Sequence, residues 1–254
     1  MRVLKWCARG VVVCLLGGVL GAAQGQALDD IQWLSEEYAP YNYADPETGI
    51  PTGISVDVLQ RIWDRLGVER QASDITILPW ARGYRIAQDD PNTCLFATTV
   101  TEPRQELFNF VEPLVDVSIV VVGARDGAPA INSVDDLAPY RIGVVRDDIG
   151  DQLLVQQGAE STIIRTDSAR IMVRMLRGQR FDFIAYDAHT ARWTMQQEDI
   201  DASEYADVYV LDEAVMGYAC NKAVPQEYID AMQSVLDELI ADGTVARIIS
   251  EYRQ

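Results

Sequence analysis

Basic charge is scarce in this chain of 254 residues, which sets 21 Lys and Arg against 39 Asp and Glu. A formal charge of −18 makes nucleic acid and anionic membrane surfaces poor partners, because an acidic surface is repelled by polyanions. Histidine occurs once, at His189. Ser-His or Cys-His catalysis would rest on that residue alone, and no nucleophile motif lies near it. A metal site has as little support, since the sequence has no histidine pair, cysteine cluster or dense acidic loop. The phosphate-cradling glycine loop, the dinucleotide fingerprint and the G-x-S-x-G elbow are also missing. The expectation is therefore no catalytic set, no metal and no cofactor.

What is present begins with an export signal. Arg2, Lys5 and Arg9 precede the apolar stretch "VVVCLLGGVLGAA", and small residues then lead into "QGQALDD". A basic head, a short apolar run and a small-residue exit read as a secretory signal peptide over residues 1–27, cleaved after Ala27. The run is too short to span a membrane comfortably. Val13 is large where lipoprotein processing at Cys14 needs a small residue, so the product is expected to be soluble and periplasmic. Cleavage removes three cations and no acids, leaving a mature charge of about −21 on about 227 residues, enough for one large domain or two modest ones. Cys94 and Cys220 remain, both in apolar, strand-like stretches. Two buried free thiols are one reading. Export to an oxidising compartment favours a disulfide between them.

Along the mature chain, strands and helices alternate. "IQWL" reads as a strand, and Val58, Leu59, Ile62, Trp63 and Leu66 recur at helical spacing up to the stop at Gly67. "ITIL", "CLFATTV" and "VSIVVVGA" read as strands, with "WARGYRIAQ" as a short helix. The pattern then restarts with "RIGVV", "TIIR" and "FDFIAY" as strands between helices. One of these places Ile171, Met172, Met175 and Leu176 on a face. "DVYVL" and "MGYAC" read as two further strands before two C-terminal helices. Two successive β/α sets without a short repeat predict two Rossmann-like α/β lobes. The join would be the strand "DVSIVVVGA" itself, so the lobes would share strands as a hinge. Such folds bind ligands in the crevice between lobes.

Six stretches occur in a telling order: "EEYAPYNY", "GIPTGISVDVL", "TVTEPRQELFNFVEPL", "SVDDLAPYRIGVV", "LRGQRFDFIAYD" and "LDELIADGTVARIISEY". In this the chain resembles the periplasmic solute-binding proteins of the amino-acid-binding type, family 3, with the type II periplasmic binding fold. The resemblance covers nearly all of the mature chain. It implies a two-strand hinge between a lobe of residues 28–116 with 221–254 and a lobe of residues 117–220, in a monomer that captures a small-molecule solute and hands it to a membrane ABC permease, or reports it to a sensor receptor.

Carried over by position, Arg104 matches the arginine that receives a ligand carboxylate, a role suited to a planar fork of donors that stays charged. Its other reading is a loop ion pair with Glu102 or Glu106. Thr99 and Thr101 match positions that assist. Asp187 matches the acid that holds the ligand's ammonium, and it would also serve as an N-cap. Tyr38, Tyr41 and Trp80 match aromatic walls, whereas Trp63 and Tyr43 read as core. Arg82 is either at the cleft mouth or an exposed helix charge, and His189 reads as a helix-surface residue.

Asp148 aligns with a hydroxyl residue that starts a helix in the family and helps to grip the carboxylate. An Asp there can occupy the helix amides itself and repel a carboxylate, which points away from ordinary α-amino acids and towards a cationic solute. An enzyme on the same scaffold, resembling cyclohexadienyl dehydratases, would use Glu37, Asp148 or Asp187 as general acid.

Overall fold

The computed structural model describes residues 28–160 and 163–252; the expected signal peptide, residues 1–27, lies outside them. Ten strands are formed among the described residues. They are β1 (Gln32–Ser35), β2 (Tyr43–Ala44), β3 (Pro51–Thr52), β4 (Thr76–Ile77), β5 (Thr93–Thr99), β6 (Phe108–Ala124), β7 (Ile142–Val145), β8 (Ile163–Thr166), β9 (Phe183–Asp187) and β10 (Tyr205–Asn221). Eight of them make one sheet in the order β4-β1-β5-β10-β6-β9-β7-β8, and β2 and β3 form a separate hairpin.

The centre of the sheet explains its division. β6 and β10 are 17 residues each and run antiparallel, from Tyr205 opposite Ala124 to Asn221 opposite Phe108. β5 flanks β10 only between Met216 and Cys220, and β9 flanks β6 only between Ile119 and Gly123. Between these ends, at Val117–Ser118 and Glu213–Ala214, the pair runs as a two-stranded ribbon. A ribbon without side neighbours twists and bends more readily than a wide sheet, so the two halves of the molecule meet through a hinge.

This differs from the sequence reading at both long strands. "DVYVL" and "MGYAC" belong to a single strand, and the strand expected from Val117 begins at Phe108. Asp212, Glu213 and Pro113 look like breaks in a sequence. Glu213 lies on the ribbon and is exposed, and Asp212, opposite Ile119 at its edge, is half-buried. Pro113 falls where the β6–β10 register shifts, between Val111 and Val115, where a missing N–H is tolerated.

On each side, helices cover parallel strands. Helix Ile54–Leu66 buries Val58, Leu59, Ile62 and Trp63 and ends at Gly67 in the left-handed conformation, as its apolar spacing requires. Helix Ala169–Arg177 turns a slightly different face inward than expected. Ala169, Met172, Val173 and Leu176 are buried, whereas Ile171 is exposed. Those four follow the i, i+3, i+4, i+7 spacing, and Ile171 does not. Trp33 is the centre of an aromatic cluster, edge-on to Trp63, Phe96 and Tyr218 at 5.8–6.0 Å. Beside it Cys94 of β5 and Cys220 of β10, direct partners in the register, form a disulfide.

Candidate functional site

The carboxyl ends of four strands converge on one crevice: β1 and β5 from one side of the hinge, β7 and β9 from the other. Residues that follow such strand ends are carried to the crevice by the chain's direction. From β1 these are Glu36 and Tyr38; from β5, Thr99 and, through the short helix Glu102–Leu107, Arg104. From β7 comes Asp148, and β9 ends on Tyr186 and Asp187.

Two glycines set the close approaches. Gly53 has φ +118°, and a Cβ on it would lie 2.5 Å from the Tyr41 carbonyl oxygen, so no side chain fits where the chain crosses the Tyr38–Asn42 turn. Gly150 lies in the first turn of helix Ile149–Gln156, where a Cβ would come 2.4 Å from the carbonyl oxygen of Ala185. That helix therefore starts hard against β9 and brings Asp148 into the electrostatic range of Asp187.

Arg104 is only 1% exposed. Its Nε donates to Gln152 Oε1 at 3.0 Å and its Nη1 to the Thr99 carbonyl at 3.1 Å. Its guanidinium lies 5.3 Å from the Trp80 ring centre and 5.4 Å from that of Tyr84, a cation held on two stacked aromatic faces. The remaining nitrogen, Nη2, stands 4.0 Å from Asp148 Oδ1 and makes no hydrogen bond. The loop pairs with Glu102 or Glu106 are not formed; among the described residues the acid beside Arg104 is Asp148.

Asp148 takes the N-cap position, but its side chain makes no capping hydrogen bond. The expectation that it occupies the helix amides is thus corrected: the carboxylate turns towards Arg104, although the Ile149 amide is near enough to favour its charge. The turn before it is tight, with Asp147 at φ 60°, a left-handed conformation that Asp tolerates better than most residues. The Asp147 carbonyl accepts from Trp80 Nε1 at 2.9 Å and from Gln152 Nε2 at 2.7 Å. The first bond joins the two sides beside Arg104, and the second, within one side, fixes the turn that accepts it.

Asp187 is fully buried and divides its two oxygens. Oδ1 accepts from the Thr190 amide and hydroxyl at 2.8 and 2.9 Å, capping helix Ala188–Gln197, and Oδ2 has no partner in the protein. Tyr38 and Tyr41 are buried and pack on each other, and Tyr38 meets Tyr186 edge-on at 5.3 Å across the crevice. Trp80 serves as a floor for Arg104. Thr101 is half-buried and lines a groove of about 520 Å³ together with Arg104, Tyr84, Gln152 and Arg165. Arg82 and His189 are exposed, and Trp63 is core. Tyr43 is half-buried and packs on Trp193 from the other side of the hinge, a contact the core assignment had not foreseen.

The electrostatics follow from dryness. Burial pushes the Asp148 carboxyl up to about 6, against the opposing pull of Arg104. Burial, and then the charge of Asp148, push Glu36 well above the ordinary carboxylate range, with Arg104 opposing. Asp187 is also raised, chiefly by burial, although its bonds to Thr190 work against the shift.

Sequence reasoning missed Glu36, Tyr186 and Gln152. It singled out Glu37, which is exposed and accepts only from the Ala44 amide at 3.4 Å. The available signal was position: Glu36, not Glu37, directly follows the last residue of β1.

A long-stranded hinge, two parallel-stranded halves and a closed polar crevice between them define the type II periplasmic binding fold. The chain belongs to the bacterial extracellular solute-binding proteins, family 3, which it matches over residues 33–254. Comparison with curated proteins finds no match. Among solved structures, a histidine kinase sensor domain with similarity to periplasmic binding proteins matches at TM-score 0.77 and 18% identity, over 88% of this chain and 97% of that one. A mutant of ArgBP from T. maritima matches at TM-score 0.75 and 22% identity, over 89% and 98%. An amino acid ABC transporter substrate-binding protein from Streptococcus pneumoniae, bound to L-arginine, matches at TM-score 0.74 and 15% identity, over 88% and 94%. At these identities the likeness establishes the fold. Among the described residues no helix is long and apolar enough to cross a membrane.

Proposed function

We propose that this protein, exported by a cleaved signal peptide, captures a small polar solute in the periplasm and hands it to a membrane ABC importer. The solute is amino-acid-derived or cationic, and it is held between lobes formed by residues 28–116 with 221–254 and by residues 117–220. The observation that carries this reading is the meeting of Arg104 and Asp148 across the hinge, both buried, with Arg104 Nη2, Asp148 Oδ2 and Asp187 Oδ2 making no hydrogen bond within the protein. Buried charged atoms without partners are costly. A solute that satisfies them stabilises the closed state over the open one, which is how a ligand drives closure. The chemistry suits a binder better than an enzyme: the crevice offers clamps on both sides, and the one histidine is exposed.

A sensory role is the second reading, favoured by the fold-level likeness to a histidine kinase sensor domain. Both share the capture step. The test is mass spectrometry of whatever the natively purified protein retains, followed by thermal shift with that compound. A ligand at a hundredfold its Kd stabilises by about 2.7 kcal/mol, which for a protein of this size raises the midpoint by roughly 5–10 °C. Arg104→Ala, which leaves Asp148 without its buried partner, should change the shift strongly, and an unchanged shift in that variant would remove Arg104 from the site.

A further inference from the structure

The charge enclosed by the crevice bears on which solute it takes, an inference that rests on the capture reading above. Glu36, Asp148 and Asp187 are 6%, 4% and 0% exposed, and Arg104 is the cation among them. All are within electrostatic reach of one another's neighbourhood. Glu36 feels Asp148 and Arg104; Asp148 feels Arg104 and Asp187; and the Tyr186 phenol feels all three carboxylates. With every group ionised, the crevice carries an excess of two negative charges. Asp148 Oδ2 and Asp187 Oδ2 have no hydrogen-bond partner in the protein. Among the described residues these acids do not converge as a metal-binding group. The complement to such a site is an organic cation that brings its own N–H donors.

The seat for a ligand carboxylate is compromised at the same time. A bidentate grip needs two parallel N–H donors from the guanidinium. Arg104 has committed Nε to Gln152 and one Nη1–H to Thr99, and its flat face is covered by Trp80 and Tyr84, which leaves a carboxylate the Nη1–Nη2 end alone. That end is faced by a carboxylate of the protein's own, with Asp148 Oδ1 4.0 Å from Nη2. A second carboxylate arriving there would meet like charge in a dry site, where repulsion is weakly screened.

We infer that the crevice selects a carboxylate-free organic cation with two nitrogen-centred charges, a diamine or guanidinoamine, for which Glu36 and Asp187 are the acceptors and Asp148 takes the place of a ligand carboxylate beside Arg104. Tyr38 and Tyr186 supply aromatic faces and edges along such a cation. Glu36 becomes the specificity-determining residue, since it supplies the negative charge that a zwitterionic amino acid does not need.

The test is titration calorimetry of the mature chain with 1,4-diaminobutane, agmatine, L-arginine and L-glutamine. Agmatine is arginine without its carboxylate, so that pair isolates the seat beside Arg104. At least one of the two carboxylate-free cations should bind tenfold or more tightly than either amino acid. Glu36→Gln, nearly isosteric, should weaken that cation at least tenfold, and Asp148→Ser should shift preference towards arginine by clearing the anion seat. Thermal midpoints of the unliganded variants verify that they fold. Arginine or glutamine binding as tightly as the cations overturns the inference, as does an unchanged cation affinity in Glu36→Gln. A zwitterionic or anionic solute retained by the natively purified protein would also overturn it while leaving the capture reading intact. Absence of any retained solute, with no binding from the panel, would overturn both.

Discussion

Two regions of this molecule are equally dry and differ in what they bury. Around Trp33, the side chains of Trp63, Phe96 and Tyr218 pack edge to face, and the Tyr218 hydroxyl donates to the Ser55 carbonyl at 2.8 Å. This core has orphan polar atoms too, Trp33 Nε1, Ser55 Oγ and Thr93 Oγ1, but all three are neutral. A short distance away along β1, the crevice buries Glu36, Asp148, Asp187 and Arg104, and its orphans belong to charged groups. A neutral orphan costs about 1–3 kcal/mol, and an isolated buried ion considerably more. The first region is therefore stable by itself. The second is stable only when protonated, solvated by opening, or filled. That contrast separates a structural interior from a binding one.

The contrast can be broken in three places. Removing the disulfide, with Cys94→Ser and Cys220→Ser together, should produce the largest loss. The bond closes a loop with a sequence separation of 126, for which the chain-entropy argument gives roughly 4–5 kcal/mol. Denaturant midpoints with and without reductant measure it. A loss below about 1 kcal/mol would mean that the unfolded chain is already compact. Trp33→Ala should cost about 3–5 kcal/mol through the cavity it leaves. The folded fraction should still bind the retained solute with unchanged affinity, because no crevice residue contacts Trp33 among the ring contacts observed. A large affinity change would show that core and crevice are coupled.

The smallest effect is the pH dependence, and its sign is diagnostic. Asp148 is raised from 3.8 to about 6, so between those values the folded state holds a proton that the unfolded state has lost. Stability of the unliganded protein should fall as pH rises through that window, the opposite of a salt-bridged carboxylate. The groups acting on Asp148 are the burial itself, then Arg104 and the Ile149 amide in opposition, and then Asp187 and Asp151. Glu36 and Asp187 are raised as well and extend the trend in the same direction. On the order of 1–3 kcal/mol should be lost between pH 4 and 7, and Asp148→Asn should flatten the slope. Saturating cationic solute should flatten it too. A rise in stability across the window would show that the crevice is open and solvated when empty.

Legibility in the sequence was uneven for physical reasons. Arg104 and Asp148 stood out through the family resemblance, Arg104 by its position and Asp148 because it replaces a hydroxyl at a helix start. Glu36 was passed over in favour of Glu37. β1 is a parallel strand buried on both faces at Trp33, Leu34 and Ser35, so no alternation marks which of two adjacent glutamates turns inward. The long β10 was read as two strands because Asp212 and Glu213 resemble a loop, whereas their backbone stays paired to β6 while Glu213 is exposed and Asp212 half-buried. Tyr43 was read as core because an aromatic gives no sign of whether its partner is the interior or, as with Trp193, the facing half.

The sequence by itself determined the alternation of strands and helices, the division into two halves joined by apolar strands, and the presence of Arg104 and Asp187 near strand ends. These follow from periodicity and local residue chemistry, which act over a few residues. Only the tertiary structure decided that Glu36, Asp148 and Asp187 share one dry crevice, that Arg104 is already engaged on three sides, and that Asp148 faces Arg104 instead of its own helix. Desolvation and mutual charge are properties of the assembled surroundings, contributed by segments more than a hundred residues apart, and no single segment carries them.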